Sequence, residues 1–311
     1  MDPICHTLVG GALAESGLKR RTRLGTATLL IGANLPDVDI AAVFTGHDLA
    51  FRRGWTHGVL AWVALPLALT GIMLLWNRIR RSEDRGSPPV LPRQVLLLAT
   101  ISVLTHPLLD WLNTYGVRLL MPFSGRWFYG DSVFIIDPWM WLMLGGGVIW
   151  SRLQARRGRN SATRPARAAL VLTVIYIGLM VAGTAAGRQI AATELRLQSL
   201  PSKNALMVEP LPFNPFRRQV VLAERDRYRF GRIRWRPRPR MALSVDYVLK
   251  GFDDPRVSRV EPTEASRQLL EWARFPYYVV EGVPGRRRLR LDDARDSRGG
   301  PSWAAVTWPL N

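Results

Sequence analysis

Four histidines, His6, His47, His57 and His106, lie in the first third of this 311-residue chain, and none follows His106. His106 and Asp110 sit in an otherwise apolar stretch, four residues apart, so a helix would place both on one face about one turn apart. Ionisable groups inside apolar helices are costly and tend to be functional. Such a pair can chelate one metal ion, or share two through a bridging carboxylate. It can equally act as a hydrogen-bonded pair between two helices. Other residues in the same region favour the metal. Asn34-Leu35-Pro36-Asp37-Val38-Asp39 sets two carboxylates after a short apolar segment, Thr56-His57 opens a long one, and His6 begins the first. Arg52 and Arg53, before Gly54, offer forked donors for a phosphate or carboxylate beside the metal, or are plain loop charges. His47 has no partner at helical spacing and reads as a surface histidine.

These residues must be held by apolar helices. Residues 55–76, 94–112 and 168–187 are each long and apolar enough to cross a bilayer, for which about 20 residues are needed. Residues 137–150 form a shorter fourth candidate. Two apolar segments at about 4–17 and 24–34 are too short to cross alone and are expected to pack against the others. The expectation is a mainly α polytopic membrane domain over residues 1–187, of about four spans plus two short N-terminal helices. A small, β-rich soluble domain follows over residues 188–311.

Basic residues orient the helices. Lys19 to Arg23, Arg78 to Arg93 and Arg152 to Arg167 crowd three connections, while 35–54 and 113–136 hold only Arg52, Arg53, Arg118 and Arg126. By the positive-inside rule the first three face the cytoplasm. His6, Asp37, Asp39, His57, His106, Asp110, Asp131 and Asp137 then approach the opposite face, and the C-terminal domain is extracytoplasmic. Convergence of the candidate ligands on one leaflet favours a metal site over unrelated polar pairs.

The formal charge of +19 is ascribed mainly to these loops, and nucleic acid is not an expected partner. In the tail, residues 220–224, 227–235 and 241–249 alternate as strands do, with a helix near 262–274. Its basic run at 227–240 reads as a solvated strand face. Cys5, the single cysteine, excludes a disulfide framework and a cysteine zinc site, and reads as a small buried residue. The N-terminal sequence lacks the pattern of a cleavable signal.

Taken in order, His6, the L-P-D-x-D element at Leu35–Asp39, the R-G-x-T-H element at Arg53–His57, the H-x-x-x-D element at His106–Asp110 and Thr114–Pro122 resemble the LexA-regulated, membrane-bound predicted metal-dependent hydrolases, the YdjM-like group. The resemblance covers about residues 2–140. It implies a distant relation to the zinc-dependent phospholipase C and single-strand nuclease superfamily. It also implies metal ligation by His6, Asp37, His57, His106 and Asp110, with Asp110 bridging if two ions are held. The family often has a histidine just before R-G-x-T-H, and Arg52 stands there in this chain. No histidine is left for a third ion.

A metal-dependent hydrolase of a bacterial inner membrane is therefore expected, with zinc favoured by mixed imidazole and carboxylate ligands. Asp37 or Asp39 would act as general base, Arg53 would assist, and the substrate would be a phosphodiester or ester, lipids included. The rival is a non-enzymatic, metal-stabilised membrane scaffold or envelope-stress protein.

Overall fold

The computed structural model describes residues 1–45, 51–80, 90–198, 206–283, 285–296 and 300–310. His47 and the arginines at 81 and 85 lie outside them. The chain divides into two compact units, Met1–Ala182 and Gly183–Asn311.

In the first unit, α1 (Pro3–Glu15) starts cleanly. The Asp2 carboxylate accepts from the backbone N–H groups of Ile4 and Cys5 at 3.0 and 3.1 Å, and Pro3 supplies a preset first-turn φ. α2 (Gly25–Asn34) ends where Pro36 can donate no backbone N–H, and the chain continues as a 3₁₀ stretch, Leu35–Thr45. Then come α3 (Ala61–Arg80), α4 (Pro92–Trp111), α5 (Pro138–Arg156) and α6 (Arg164–Leu197).

Among the described residues, α3, α4 and α6 are long and apolar enough to cross a membrane. Residues 137–150 do form a helix, α5. It falls outside that group, because three glycines and the late Arg152 and Arg156 dilute its apolar run. The first long span starts later than expected: residues 55–60 are turns, and helix begins at Ala61. Gly54 and Gly58 explain this, since the turn packs backbone to backbone against residues 118–121. Val59 N–H donates to Leu119 O at 3.0 Å, and a Cβ on Gly58 would overlap Met121 O.

Only 22% of the apolar window of α3 and of α6 is buried, against 50% for α4, so α4 is the central helix and the other two present apolar side chains outward. α2 packs on α1 and α4, and α5 packs on α1. Gly10 lets α1 approach α2 so closely that a Cβ there would stand 2.7 Å from Leu29 O. Cys5 is fully buried in the core that α1 shares with Leu109, Met140 and Leu144. At the ends of α2 and α4 remote from Asn34 and Trp111, the basic connections meet. Arg21 reaches Gln94 at 3.2 Å and Arg23 reaches Asn77 at 3.0 Å.

The second unit holds a four-stranded antiparallel sheet, β1 (Leu206–Leu211), β2 (Asn214–Ala223), β3 (Arg227–Arg234) and β4 (Arg240–Leu249), in sequential order. α7 (Glu264–Trp272) follows, then a three-stranded antiparallel sheet, β5 (Pro276–Glu281), β6 (Arg287–Asp293) and β7 (Val306–Leu310). The four-stranded sheet is apolar on both faces. Val208, Val220 and Leu222 pack with Ala191 and Leu195 of α6, while Met207, Val221 and Phe230 pack with Phe275 and Tyr277. On β3 the buried Tyr228, Phe230 and Ile233 are interleaved with the more exposed Arg227, Arg229, Arg232 and Arg234.

Candidate metal centre

Four elements of the first unit deliver side chains to one buried point. α4 supplies His106 and Asp110 from a single face, Nε2 to Oδ2 at 3.4 Å, as their spacing requires. The turn before α3 supplies His57, the 3₁₀ stretch supplies Asp37, and α1 supplies His6. His6, His57, His106 and Asp110 are fully buried. Asp37 retains some exposure and is where the cluster opens.

Asp110 is the hub. Its Oδ2 lies 3.2 Å from His57 Nε2, and its Oδ1 lies 3.3 Å from His6 Nε2 and 3.2 Å from an Arg53 Nη2, with the Met1 amino nitrogen also in contact. His106 Nε2 lies 3.6 Å from Asp37 Oδ1. The His6 and His106 rings stack at 3.6 Å between centroids, and His57 meets His106 edge-on at 5.0 Å. One ligand atom from each of Asp37, His57, His106 and Asp110 lies within 4.8 Å of all the others, so these four could hold a metal ion.

Hydrogen bonding behind the rings fixes what faces the centre. His106 Nδ1 donates to Ala33 O at 2.7 Å. His57 Nδ1 lies 2.9 Å from the Thr56 hydroxyl, which donates in turn to Asp39 Oδ2 at 3.1 Å. With Nδ1 protonated on each ring, Nε2 is a lone pair aimed at carboxylate oxygens. Acceptor facing acceptor is repulsive unless positive charge sits between them. Protonating all three imidazoles would instead bury three more cations beside Arg53, which is far costlier than one shared ion. The Nε2 atoms of His6 and His106 and Oδ1 of Asp37 are buried with no hydrogen-bond partner, as ligand atoms reserved for a cation would be.

The two carboxylates of Leu35–Asp39 separate into different roles. Asp37 faces the cluster. Asp39 turns behind it, accepting from Arg53 N at 2.7 Å, from Thr56 Oγ1 and from Arg52 Nη1 at 3.2 Å. The two arginines also differ. Arg53, whose backbone φ is 50°, is buried; one Nη1 donates to Asn113 Oδ1 at 3.1 Å and Gly116 O at 3.3 Å, and the guanidinium lies over the Tyr115 ring. Its Nη atoms meet protein groups, Asp110 among them. Arg52 is partly exposed, with Nη2 3.9 Å from Asp37 Oδ1. Asp137 caps α5, accepting from Trp139 N and Met140 N, and accepts from Tyr176 Oη at 2.8 Å; it stays outside the four-residue group.

Sequence reasoning missed Ala33 O, Thr56, Asn113 and Tyr115 as supports. Thr56 adjoins His57 in the R-G-x-T-H element and could have been singled out, whereas the Arg53–Tyr115 contact leaves no periodic trace.

Fold and site together define a helical membrane protein with a buried His–Asp cluster able to hold a metal ion. The chain belongs to the YdjM inner membrane protein family, whose description matches residues 1–187. It is also similar to the uncharacterized protein YfhP of Bacillus subtilis (strain 168), 24% identical over 124 residues, which is 39% of this chain. The match spans 35% of that relative's length. No solved structure matches the chain significantly.

Proposed function

We propose that this chain is a metal-dependent hydrolase of the inner membrane, with its centre at the periplasmic face and a phosphodiester or ester as substrate. The observation that carries this reading is the convergence of unpartnered imidazole nitrogens on Asp110 and Asp37. Asp37, His57, His106 and Asp110 would hold the ion, with His6 as a further imidazole at the same point. Zinc suits this donor set. When bound, the ion supplies polarisation of a phosphoryl or carbonyl oxygen and activation of water near neutral pH. The chain's own residues do the rest. Thr56 and Asp39 hold the His57 tautomer, Ala33 O holds that of His106, and Arg53 offsets the charge of Asp110. Asp37, the partly exposed carboxylate, is placed to accept a proton from attacking water.

The periplasmic placement is supported by the basic connections that gather at the far ends of α2 and α4. With α5 as a fourth span, the positive-inside rule makes the end of α6 extracytoplasmic. A reporter fused after the C-terminal strand should be active only outside the cytoplasm, and cytoplasmic activity would overturn this placement. Complete burial of His6, His57, His106 and Asp110 favours one rival, a metal-stabilised scaffold without turnover. Purified protein assayed on phosphodiester and ester panels, with and without chelator, separates the two. Chelator-sensitive turnover lost in Asp37→Asn supports the hydrolase, and retained metal with no turnover supports the scaffold.

A further inference from the structure

The apolar run of α6 ends at Gly187: residues 168–187 carry no charge, and Arg188 follows. The four-stranded sheet is fastened to the helix across this point. A Cβ on Gly183 would stand 2.6 Å from Nη2 of Arg218, and one on Gly187 would stand 2.9 Å from Val208 Cγ1. Further along the helix, Ala191 and Leu195 pack with Val220 and Leu222. β2 therefore advances as α6 does, away from the apolar run, and its start lies on the side of that run. Antiparallel pairing brings the β1–β2 turn and the β3–β4 turn to that same end. The two are tied there, because Trp235 Nε1 donates to Phe216 O at 2.7 Å.

Composition changes sharply at this end. Residues 212–219 and 232–241 hold seven arginines and no aspartate or glutamate. Arg234 and Arg240 stand directly opposite each other on adjacent strands, an arrangement of like charges that costs stability unless an anion lies beside them. Among the described residues, none of Arg217, Arg232, Arg234, Arg236, Arg238 and Arg240 forms an ion pair. The four strands hold two acids, Glu209 and Asp246, and both are engaged: Glu209 accepts from Gln219, and Asp246 from Ser244 Oγ at 2.7 Å. At the other end of β3, by contrast, Arg227 and Arg229 meet Asp226 and Glu224. Beside the unpaired arginines, Phe213 and Phe216 are 76% and 73% exposed.

We propose that this end of the sheet docks on the phospholipid head-group layer from which α6 emerges. Phe213 and Phe216 lie at the apolar boundary, and the arginines meet lipid phosphates. The fastening to α6 holds both turns at the level where the apolar run ends. Exposed aromatic rings suit the boundary between hydrocarbon and head groups. Forked guanidiniums without acids of their own suit phosphate oxygens. A face turned wholly to water would leave the opposed arginines and the two exposed phenyl rings without a reason. The inference is independent of the metal centre and of which side of the membrane this unit occupies.

The test uses the whole chain, a single copy per nanodisc of phosphatidylethanolamine and phosphatidylglycerol, with a nitroxide attached to Phe213→Cys, Phe216→Cys or Val245→Cys. Val245 is 93% exposed on β4, away from the two turns, and serves as the reference. The unaltered chain, whose Cys5 is fully buried, is the labelling control. Relaxation of each label by oxygen and by a water-soluble nickel chelate reports its surroundings. Labels at positions 213 and 216 are expected to favour oxygen over nickel several-fold more than the label at 245, as groups immersed in lipid do. Combining Arg234→Gln, Arg236→Gln, Arg238→Gln and Arg240→Gln should return the label at 216 to the reference value with the circular dichroism unchanged. Nickel contact at 216 equal to that at 245 would overturn the proposal. So would a label shielded from both reagents, since protein would then cover this end, or an oxygen preference that survives loss of the four arginines.

Discussion

Asp39 stands behind His57, its Oδ2 3.4 Å from the ring Nδ1 with the Thr56 hydroxyl between them, while the Nε2 of the same ring points at Asp110. A carboxylate in this position orients an imidazole ligand and raises its basicity without touching the ion. Removing such a support typically weakens metal binding by about 10- to 100-fold. Asp39→Asn is therefore expected to weaken metal affinity by that order in a chelator competition, with the helical circular dichroism unchanged. A loss as complete as that from a ligand substitution would instead make Asp39 a ligand.

The adjacent arginines should separate in stability measurements. Arg53 is buried against Asp110, and removing one partner of a buried pair costs about 3–5 kcal/mol because the other charge is left uncompensated. Arg52 is partly exposed, and Asp39 keeps the donors Arg53 N and Thr56 Oγ1 when Arg52 is removed, so its loss leaves no uncompensated buried charge beside Asp110. Arg53→Met should lower the unfolding temperature in detergent markedly, whereas Arg52→Gln should leave it nearly unchanged. Equal effects would contradict the division of roles.

Gly58 offers a test in which every ligand stays in place. A methyl group there would overlap the backbone oxygen of Met121, so the turn carrying His57 must shift. Gly58→Ala is expected to reduce metal occupancy although His57 itself is intact. Gly71→Ala, on α3 where a Cβ would meet nothing within 4 Å, is the control and should behave as the unaltered chain. Full occupancy in Gly58→Ala would show that the turn does not position the ligand.

Part of the cluster around Asp110 was legible in the sequence because ionisable residues are rare in apolar helices and because the spacing of His106 and Asp110 is helical. Alternation of arginines with Tyr228, Phe230 and Ile233 likewise revealed β3. What stayed hidden was set by contacts between distant segments. The turn at residues 54–60 depends on Gly58 lying against Met121, and an uncharged stretch beginning at Trp55 reads as helix without that knowledge. Asp37 and Asp39 have the same type and nearly the same position, and they diverge only because the 3₁₀ stretch turns one toward His106 and the other toward Arg53 N. β5, β6 and β7 are short, and β6 is rich in arginine and aspartate. Its buried ion pair between Arg290 and Asp292 masks the alternation that would have marked it as a strand.

The most direct test of the metal centre is elemental analysis of the purified, folded chain, with His106→Ala and Asp110→Ala prepared in parallel. The arrangement of Asp37, His57, His106 and Asp110 predicts a stoichiometric divalent ion in the unaltered protein and its loss from both variants, each retaining its helical circular dichroism. A folded, unaltered protein that carries no divalent metal after loading, or metal content that survives both substitutions, would contradict it.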